Sequence, residues 1–212
     1  MKPESIALKD FDQIDNWDIV MFLYRSALKK MDTKIDILNE EFQIRMKTNP
    51  IEHVKSRIKS PESIVKKLRR HGYEDTVENM VRYVNDIAGI RIICSFTSDI
   101  YQVADMLSSQ EDLNILAIKD YMKNPKKSGY RSYHMLVTVP VFYAGKNIHT
   151  KIEVQIRTVA QDFWATLEHK MHYKFEGDGP DYISNELREC ARYISDLDNR
   201  MEELNKEIHK FE

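Results

Sequence analysis

Apolar positions along this chain follow a helical period at both ends and a strand-like pattern in the centre. From Trp17 to Met46 apolar residues return at helical spacing, which predicts one long amphipathic helix. Asn49-Pro50 ends it, because the residue before a proline is pushed out of the α region. A shorter helix is predicted from Glu62 to Arg70, with Ser60-Pro61 as its capped start and His71-Gly72 at its end.

The centre of the chain is rich in β-branched residues and predicts a sheet. Pro140 and Gly145 are expected in the connection between its last two strands. The predicted strands are Ile90–Phe96, Leu113–Ile118, Tyr133–Val139 and Ile148–Ile156, and a helix is predicted at Asp99–Leu107.

The last third of the chain returns to helical spacing. Thr158 is predicted to cap a helix that runs through Tyr173, residues 177–180 interrupt it, and a charged amphipathic helix follows at 181–211. With the first helix bounded at 13–47, we predict a single domain over residues 1–212 in which long N- and C-terminal helices flank a compact centre. The expected fold class is α+β, with a single mixed β-sheet of about five strands flanked by helices.

Composition and charge narrow the function classes. The chain has 212 residues, of which 42% are hydrophobic and 31% charged, and a formal net charge of −2. These values are typical of a soluble domain with a core and give no general attraction to nucleic acid, so any polyanion site must be local. No apolar run approaches the roughly 20 residues that cross a bilayer, and the polar N-terminus is unlike a secretory signal. Two cysteines, Cys94 and Cys190, make no disulfide framework, so a cytoplasmic protein is expected.

Basic residues dominate the stretch from His53 to Arg70, in which Glu62 is the only acid. Several cations held together would offset the charge of a triphosphate. Taken alone, however, a charge run of this kind is more often a solvated helix face. The cations are Lys55, Arg57, Lys59, Lys66, Lys67, Arg69 and Arg70.

Two further segments pair polar side chains with the start of a predicted strand. Asp86 and Arg91 flank the start of the first strand, where a carboxylate suits Mg²⁺ and a guanidinium suits a base or a phosphate. In the segment Lys126–His134, Gly129 allows close backbone approach, Tyr130 offers a ring to a base, and the donors Arg131 and His134 suit phosphate. Plain turns remain the alternative in both places.

The last predicted strand alternates strictly. Its polar residues Lys151, Glu153, Gln155 and Arg157 point to one face. A solvent-facing surface strand is the simplest interpretation, but the sheet lacks enough apolar residues for a second bare face. Asp86 is expected on a nearby strand edge, where a shared Mg²⁺ would resolve the repulsion between its carboxylate and that of Glu153.

Four motifs, taken together and in this order, resemble the RelA/SpoT synthetase domain. The chain's length resembles the stand-alone small alarmone synthetases, and Pro50–Ser60 with Asp162-Phe163-Trp164 resembles the RelP branch more than the RelQ branch. Phe163 and Trp164 are expected to pack in the core. The four motifs are Asp86–Arg91, Gly129–His134, Glu153–Thr158 and Phe163–His169.

The resemblance implies a nucleotidyltransferase-like fold and a GTP diphosphokinase (ATP:GTP 3′-diphosphotransferase) of the stringent response. Such an enzyme moves the β,γ-pyrophosphate of ATP to the 3′-hydroxyl of GDP or GTP, giving the alarmone (p)ppGpp and AMP. The resemblance further implies Mg²⁺ as cofactor, a cytoplasmic homotetramer, no hydrolase activity, and no membrane or stable nucleic-acid partner. Which acceptor is preferred stays open.

The resemblance also implies roles for individual residues. On the ATP side, Arg57 and Arg91 would sandwich the adenine, and Asp86 and Glu153 would bind the metal, with Glu153 also preparing the 3′-hydroxyl. The ATP phosphates would be held by Lys59, Ser63, Lys67 and Arg70. The acceptor would be bound by Lys126, Tyr130, Arg131, His134, Gln155 and Asp162, of which Tyr130 stacks on guanine.

Asp162 is a special case, because some relatives carry asparagine there. We hypothesise that its carboxylate accepts from guanine N1–H and the 2-amino group, a donor pair that adenine lacks. Two rival functions remain: an RNA-extending nucleotidyltransferase, which would need an Asp-x-Asp strand motif absent around Asp86, and a non-catalytic nucleotide- or RNA-binding regulator.

Overall fold

A computed structural model describes residues 10–11, 14–47, 49–174, 181–208 and 210. The helices are α1 (Trp17–Met46), α2 (Pro61–Arg70), α3 (Val77–Tyr83), α4 (Thr97–Ser108), α5 (Val159–Lys174) and α6 (Asp181–Ile208). The strands are β1 (Ile51–Ile58), β2 (Ala88–Cys94), β3 (Asn114–Asp120), β4 (Tyr133–Tyr143) and β5 (Lys146–Thr158). Among the described helices, none is both long and apolar enough to cross a bilayer.

The strands form one sheet in the order β1-β2-β5-β4-β3. β2 and β5 run parallel, whereas the other neighbouring pairs are antiparallel, so the predicted α+β class with a single mixed sheet is confirmed. The parallel pair places Gly89 beside Glu153 and Arg91 beside Gln155. Two predicted site segments that are far apart in the sequence therefore lie on adjacent strands.

The long N-terminal helix forms as the sequence predicts. The Asn16 side chain accepts hydrogen bonds from the backbone N–H groups of Asp18 and Ile19, and Lys47 takes a left-handed conformation (φ 53°) after the last turn. One face of α1 lies across β1, β2, β4 and β5 and is buried there. Of the predicted bounds 13–47 and 181–211, positions 13, 209 and 211 lie outside the described residues, as does the predicted interruption at 177–180.

The apolar pattern does not predict β1 or α3. β1 is an edge strand with mostly exposed side chains, and a register shift between Ile51 and His53 interrupts its alternation. Backbone pairing with β2, rather than an apolar face, defines this strand. α3 spans only seven residues, which is too short for a helical period to stand out.

The hairpin of β4 and β5 is longer than predicted. Pro140 lies inside β4, and the turn is formed by Ala144 and Gly145, both with positive φ (49° and 83°). The proline is tolerated because β3 begins opposite Thr138, so among the described strands this part of β4 pairs with β5 alone.

β5 separates the apolar core from a polar face. Ile152, Val154 and Ile156 are buried in the core, whereas the alternate positions carry the polar residues. On that face Lys151 and Arg157 are buried and Glu153 and Gln155 half-buried, so the face does not lie open to solvent.

The prediction that Phe163 packs in the core is wrong. Phe163 is 62% exposed, whereas Trp164 is 5% exposed and its Nε1 donates to the Leu187 carbonyl of α6 at 2.9 Å. Consecutive residues of a helix point in different directions, so only one of the two can face α6.

Candidate active site

A cavity of about 200 Å³ is lined by neighbouring residues of β1, β2 and β5. Arg57 and Gly89 are register partners, and Gly89 is the partner of Glu153 in turn. The Arg57 side chain passes 3.6 Å from the point where a Cβ on Gly89 would stand, so it lies directly over this glycine. Arg57 and Arg91, predicted to sandwich a base, thus border one cavity together with Glu153 and Gln155.

A second cavity, of about 250 Å³, is basic. α2 turns Ile64 and Leu68 into the core, and this amphipathic arrangement leaves its cations on the other side. The cavity is lined by Lys59, Ser63, Lys66, Lys67, Arg70 and Asp86. Every residue predicted to hold the ATP phosphates lines this cavity. From the sequence alone, the same basic residues were also consistent with a solvated helix face.

Asp86 is held between two ammonium groups. Its Oδ2 accepts from Lys59 Nζ and its Oδ1 from Lys67 Nζ, each at 2.8 Å. Burial acts to raise the pKa of Asp86, but the hydrogen bonds and charges of the two lysines outweigh burial and lower the pKa to about 2. Asp86 is therefore an ionised carboxylate at neutral pH.

The two predicted metal ligands border different cavities, Asp86 the basic one and Glu153 the other. In the part of the chain that the structure describes, no group of three or more His, Cys, Asp or Glu side chains is arranged to hold a metal. Carboxylate oxygens nevertheless fit Mg²⁺, which commonly takes one or two carboxylates and completes its shell with phosphate oxygens and water. The donor set suits an ion that binds together with a nucleotide.

Glu153 accepts a hydrogen bond from its own strand and lies beside a histidine of β4. Gln155 Nε2 donates to Glu153 Oε2 at 2.9 Å, and His134 Nδ1 lies 3.9 Å from Glu153 Oε1. His134 is the register partner of Gln155 across the antiparallel pair. The two site segments that carry these residues therefore meet at the Glu153 carboxylate.

Tyr130 lies in a cluster of rings and cations. Lys126 Nζ is 4.8 Å and Arg157 Cζ 5.0 Å from its ring centroid, and the Tyr121 ring is tilted against it at 6.2 Å. Its hydroxyl is 2.9 Å from His134 Nε2. Burial and nearby cations lower the pKa of His134 to about 3, so this imidazole is neutral at physiological pH.

Arg131 and Asp162 make contacts within the protein. Arg131 Nη1 donates to the Met122 carbonyl at 2.5 Å, so the structure ties this guanidinium to the chain's own backbone. The buried Asp162 pairs through Oδ1 with Arg91 Nη1 at 3.0 Å and with Arg157 Nη1 at 3.3 Å. Asp162 thus bridges the Arg57–Arg91 cavity and the Tyr130 cluster.

Comparisons with known proteins identify the family of this chain. A family model described as a region found in RelA/SpoT proteins matches residues 56–178. This chain belongs to the RelA/SpoT family. It is 46% identical to the GTP pyrophosphokinase YwaC of Bacillus subtilis over 92% of this chain and 93% of that protein.

Two solved structures show the same fold as this RelA/SpoT family member. The small alarmone synthetase 1 from Bacillus subtilis bound to its product pppGpp has a TM-score of 0.83 at 34% identity, covering 91% of this chain and 97% of that one. The same synthetase bound to AMPCPP has a TM-score of 0.77 at 32% identity, covering 92% and 98%. The resemblance stated from the four motifs is confirmed.

One residue of this RelA/SpoT family site is missing from the sequence-based assignment. Arg157 was placed on the polar face of β5 by alternation but received no role, although it contacts Tyr130, Gln155 and Asp162. The signal was its position two residues beyond Gln155 on the same face. Its burial, which sets it apart from a surface arginine, follows only from how α5 and β4 pack around β5.

Proposed function

We propose that this RelA/SpoT family protein transfers the β,γ-pyrophosphate of ATP to the 3′-hydroxyl of GDP or GTP and releases AMP. The observation that carries the proposal is the position of Glu153, which borders the Arg57–Arg91 cavity and lies beside His134 of the Tyr130 cluster. A carboxylate there lies between one candidate nucleotide site and another. The activity named for YwaC and the nucleotides bound to small alarmone synthetase 1 support the same reaction.

ATP would bind across the two cavities. Arg57 and Arg91 offer flat guanidinium groups on which adenine stacks. The phosphates would lie in the basic cavity, where ammonium and guanidinium groups offset their charge. Lys59 and Lys67, which bind Asp86, would then be shared with phosphate oxygens. Ser63 and Arg70 complete this set.

The acceptor would bind at the Tyr130 cluster. Tyr130 presents its ring to guanine, and Asp162 and Gln155 are hydrogen-bonding groups beside it. Lys126 carries the positive charge that the acceptor phosphates need, and neutral His134 donates or accepts there without charge. Arg131 remains a predicted phosphate donor, and it would have to leave the Met122 carbonyl to act.

The reaction asks the protein mainly to align the groups and to stabilise charge. The acceptor 3′-oxygen forms a bond to the β-phosphorus of ATP, the bond from that phosphorus to the AMP oxygen breaks, and Glu153 takes or orients the hydroxyl proton. Magnesium, held by Asp86 and Glu153 together with phosphate oxygens, would neutralise charge on the β and γ phosphates. Lys59, Lys67 and Arg70 hold the pyrophosphate as it moves.

A direct assay tests the reaction. The protein is incubated with labelled ATP, GDP or GTP, and Mg²⁺, and AMP and (p)ppGpp are the expected products. Extension of an added RNA, without alarmone, would favour the nucleotidyltransferase alternative, and nucleotide binding without any product would favour the regulator.

Replacement of the proposed base is the sharper test. We expect Glu153→Gln to lose almost all turnover while ATP binding largely survives, because the amide keeps the shape of the side chain but cannot take a proton. Turnover is measured from AMP release and ATP binding by calorimetry. Near-normal turnover in this variant would remove Glu153 from the mechanism.

We also propose a homotetramer in the cytoplasm, where Cys94 and Cys190 stay reduced. α6 carries an outward apolar row at helical spacing, and a second exposed patch joins Phe22 of α1 to the hairpin. Two separate patches suit the two kinds of contact in a tetramer with dihedral symmetry. The row on α6 consists of Tyr193, Leu197, Met201, Leu204 and Ile208, and the second patch of the exposed Phe22 with the half-buried Tyr143 ring against it.

A further inference from the structure

The Arg157 side chain is only 5% exposed, and it makes four hydrogen bonds inside the candidate site. Its Nη2 donates to Tyr130 Oη at 2.5 Å and to Gln155 Oε1 at 2.6 Å. Its Nη1 donates to Asp162 Oδ1 at 3.3 Å, and its Nε to Ser132 Oγ at 3.4 Å. The guanidinium is thus enclosed by protein groups and connects the segment just before β4 with strand β5 and helix α5.

A guanidinium only donates, so it fixes the direction of the hydrogen bonds that continue from its partners. Because Gln155 turns its Oε1 toward Arg157, its amide NH₂ is presented on the other side. There Nε2 donates to Glu153 Oε2 at 2.9 Å. The first path from Arg157 therefore ends with a donor on the Glu153 carboxylate.

A second path runs through Tyr130. Tyr130 Oη accepts from Arg157, and the same oxygen lies 2.9 Å from His134 Nε2. The other ring nitrogen of His134, Nδ1, lies 3.9 Å from Glu153 Oε1. The second path therefore sets the place of the His134 ring beside the other oxygen of Glu153.

We propose that Arg157 is the positioning residue of Glu153: by donating to Gln155 and Tyr130 it fixes the amide that donates to Glu153 Oε2 and the place of the His134 ring beside Glu153 Oε1. The inference rests on the proposed function, in which Glu153 takes or orients the acceptor proton. Arg157 itself is buried among protein groups. Its effect passes through its neighbours.

Arg157→Lys tests the proposal, because lysine keeps the charge but one ammonium cannot replace the fork that reaches both Tyr130 and Gln155. We expect kcat to fall about 100-fold, as for a misplacement of roughly 1 Å at a reacting group. The KM for ATP should stay unchanged. Arg82→Lys is the matched control, since Arg82 pairs with Glu78 on the surface of α3, and it should keep wild-type kinetics.

Tyr130→Phe gives a second test that keeps the ring and removes only the hydroxyl. It interrupts one path, so kcat should fall while the KM for ATP stays unchanged. In the double variant, the loss caused by Arg157→Lys should be smaller than in the wild-type background, because the two changes act on one path. This comparison also covers the case in which Arg157→Lys alone does not fold, since Tyr130→Phe with unchanged kcat would by itself overturn the proposal.

The outcomes separate this inference from the proposed function. A wild-type protein that makes no AMP and no (p)ppGpp rejects the proposed function. An active wild-type protein rejects only the role of Arg157 if Arg157→Lys keeps full kcat, if the two losses are additive, or if kcat and both KM values deteriorate together with a matching fall in Tm.

Discussion

Asp162 is the residue at which the two proposed nucleotide sites meet. Its buried carboxylate pairs with Arg91 of the proposed ATP site and with Arg157 beside Tyr130, and Lys55 Nζ lies 3.7 Å away. Three cations around one carboxylate hold it in place between the two sites. Guanine, with two adjacent N–H donors, can satisfy such a carboxylate where adenine cannot.

Acceptor choice is therefore predicted to depend on Asp162. We expect Asp162→Ala to lower the preference for guanine over adenine nucleotides as acceptors by about 30-fold, the equivalent of about 2 kcal/mol for a hydrogen bond to a charged group. The measurement is kcat/KM for each acceptor at saturating ATP. An unchanged preference would show that guanine is selected elsewhere.

Helix α6 packs against Lys126–His134, the segment proposed to bind the acceptor. Its Ala191 packs against Gly129, and Arg188 Nε donates to the Lys127 carbonyl at 3.0 Å. Two carboxylates tie the same helix to the starts of its neighbours: Asp198 accepts from Thr158 Oγ1 at 2.8 Å, and Glu202 accepts from Ser98 N at 3.1 Å. The backbone before Tyr130 is thus held from outside by α6.

Gly129 is the position where this contact is tightest. Gly129 has φ +90°, and a Cβ there would stand 2.6 Å from the Ala191 Cβ. We predict that Gly129→Ala displaces the Tyr130 segment and raises the KM for the acceptor about 10-fold, with the KM for ATP unchanged. Steady-state kinetics in both substrates give the answer.

The chain offers a matched control for this change. Gly145 has a similar φ of +83° but no atom within 4 Å of its missing Cβ, so Gly145→Ala carries the backbone strain without the clash. It should lower Tm and leave both KM values alone. Adding Ala191→Gly to Gly129→Ala should recover acceptor binding, and equal KM changes at the two glycines would contradict the role of α6.

At the scale of the whole molecule, the exposed apolar row belongs to the same helix, α6, whose Ala191 and Arg188 contact Gly129 and Lys127. Leu197 and Met201 are about half exposed, whereas Ala191 on the same helix is buried against the domain. An apolar row of this length on a helix suits packing against another copy of the chain. Assembly and acceptor binding would then share one element.

Assembly is tested by placing a charge in this row. We predict that Leu197→Glu reduces the mass in solution from that of a tetramer to that of a smaller species, because an unpaired carboxylate cannot be buried between subunits. Asn199→Glu, at an exposed position of the same helix, is the control and should leave the mass unchanged. Light scattering coupled to size-exclusion chromatography measures both, and an unchanged mass for Leu197→Glu would place the interface elsewhere.

Local signals in the sequence were sufficient to predict most of the helices and strands and to identify the family. Long apolar periods predict α1 and α6, capping residues predict the start of α2, and four motifs identify the RelA/SpoT resemblance. These features depend on residues that are near one another in the chain. The same limit explains why β1, the place of Pro140 and the exposure of Phe163 were missed, since each is decided by a neighbour that is distant in sequence.

The sequence by itself therefore determined which residue types are present and on which face of a strand or helix they lie, including the polar face of β5 that carries Glu153 and Gln155. Only the tertiary structure decided which of them meet. The parallel pairing of β2 with β5 places Arg91 beside Gln155, and the packing of α5 places Asp162 between Arg91 and Arg157. The physical reason is that charge and hydrogen bonding act over a few ångströms in space, and the chain order does not fix those distances until the sheet has formed.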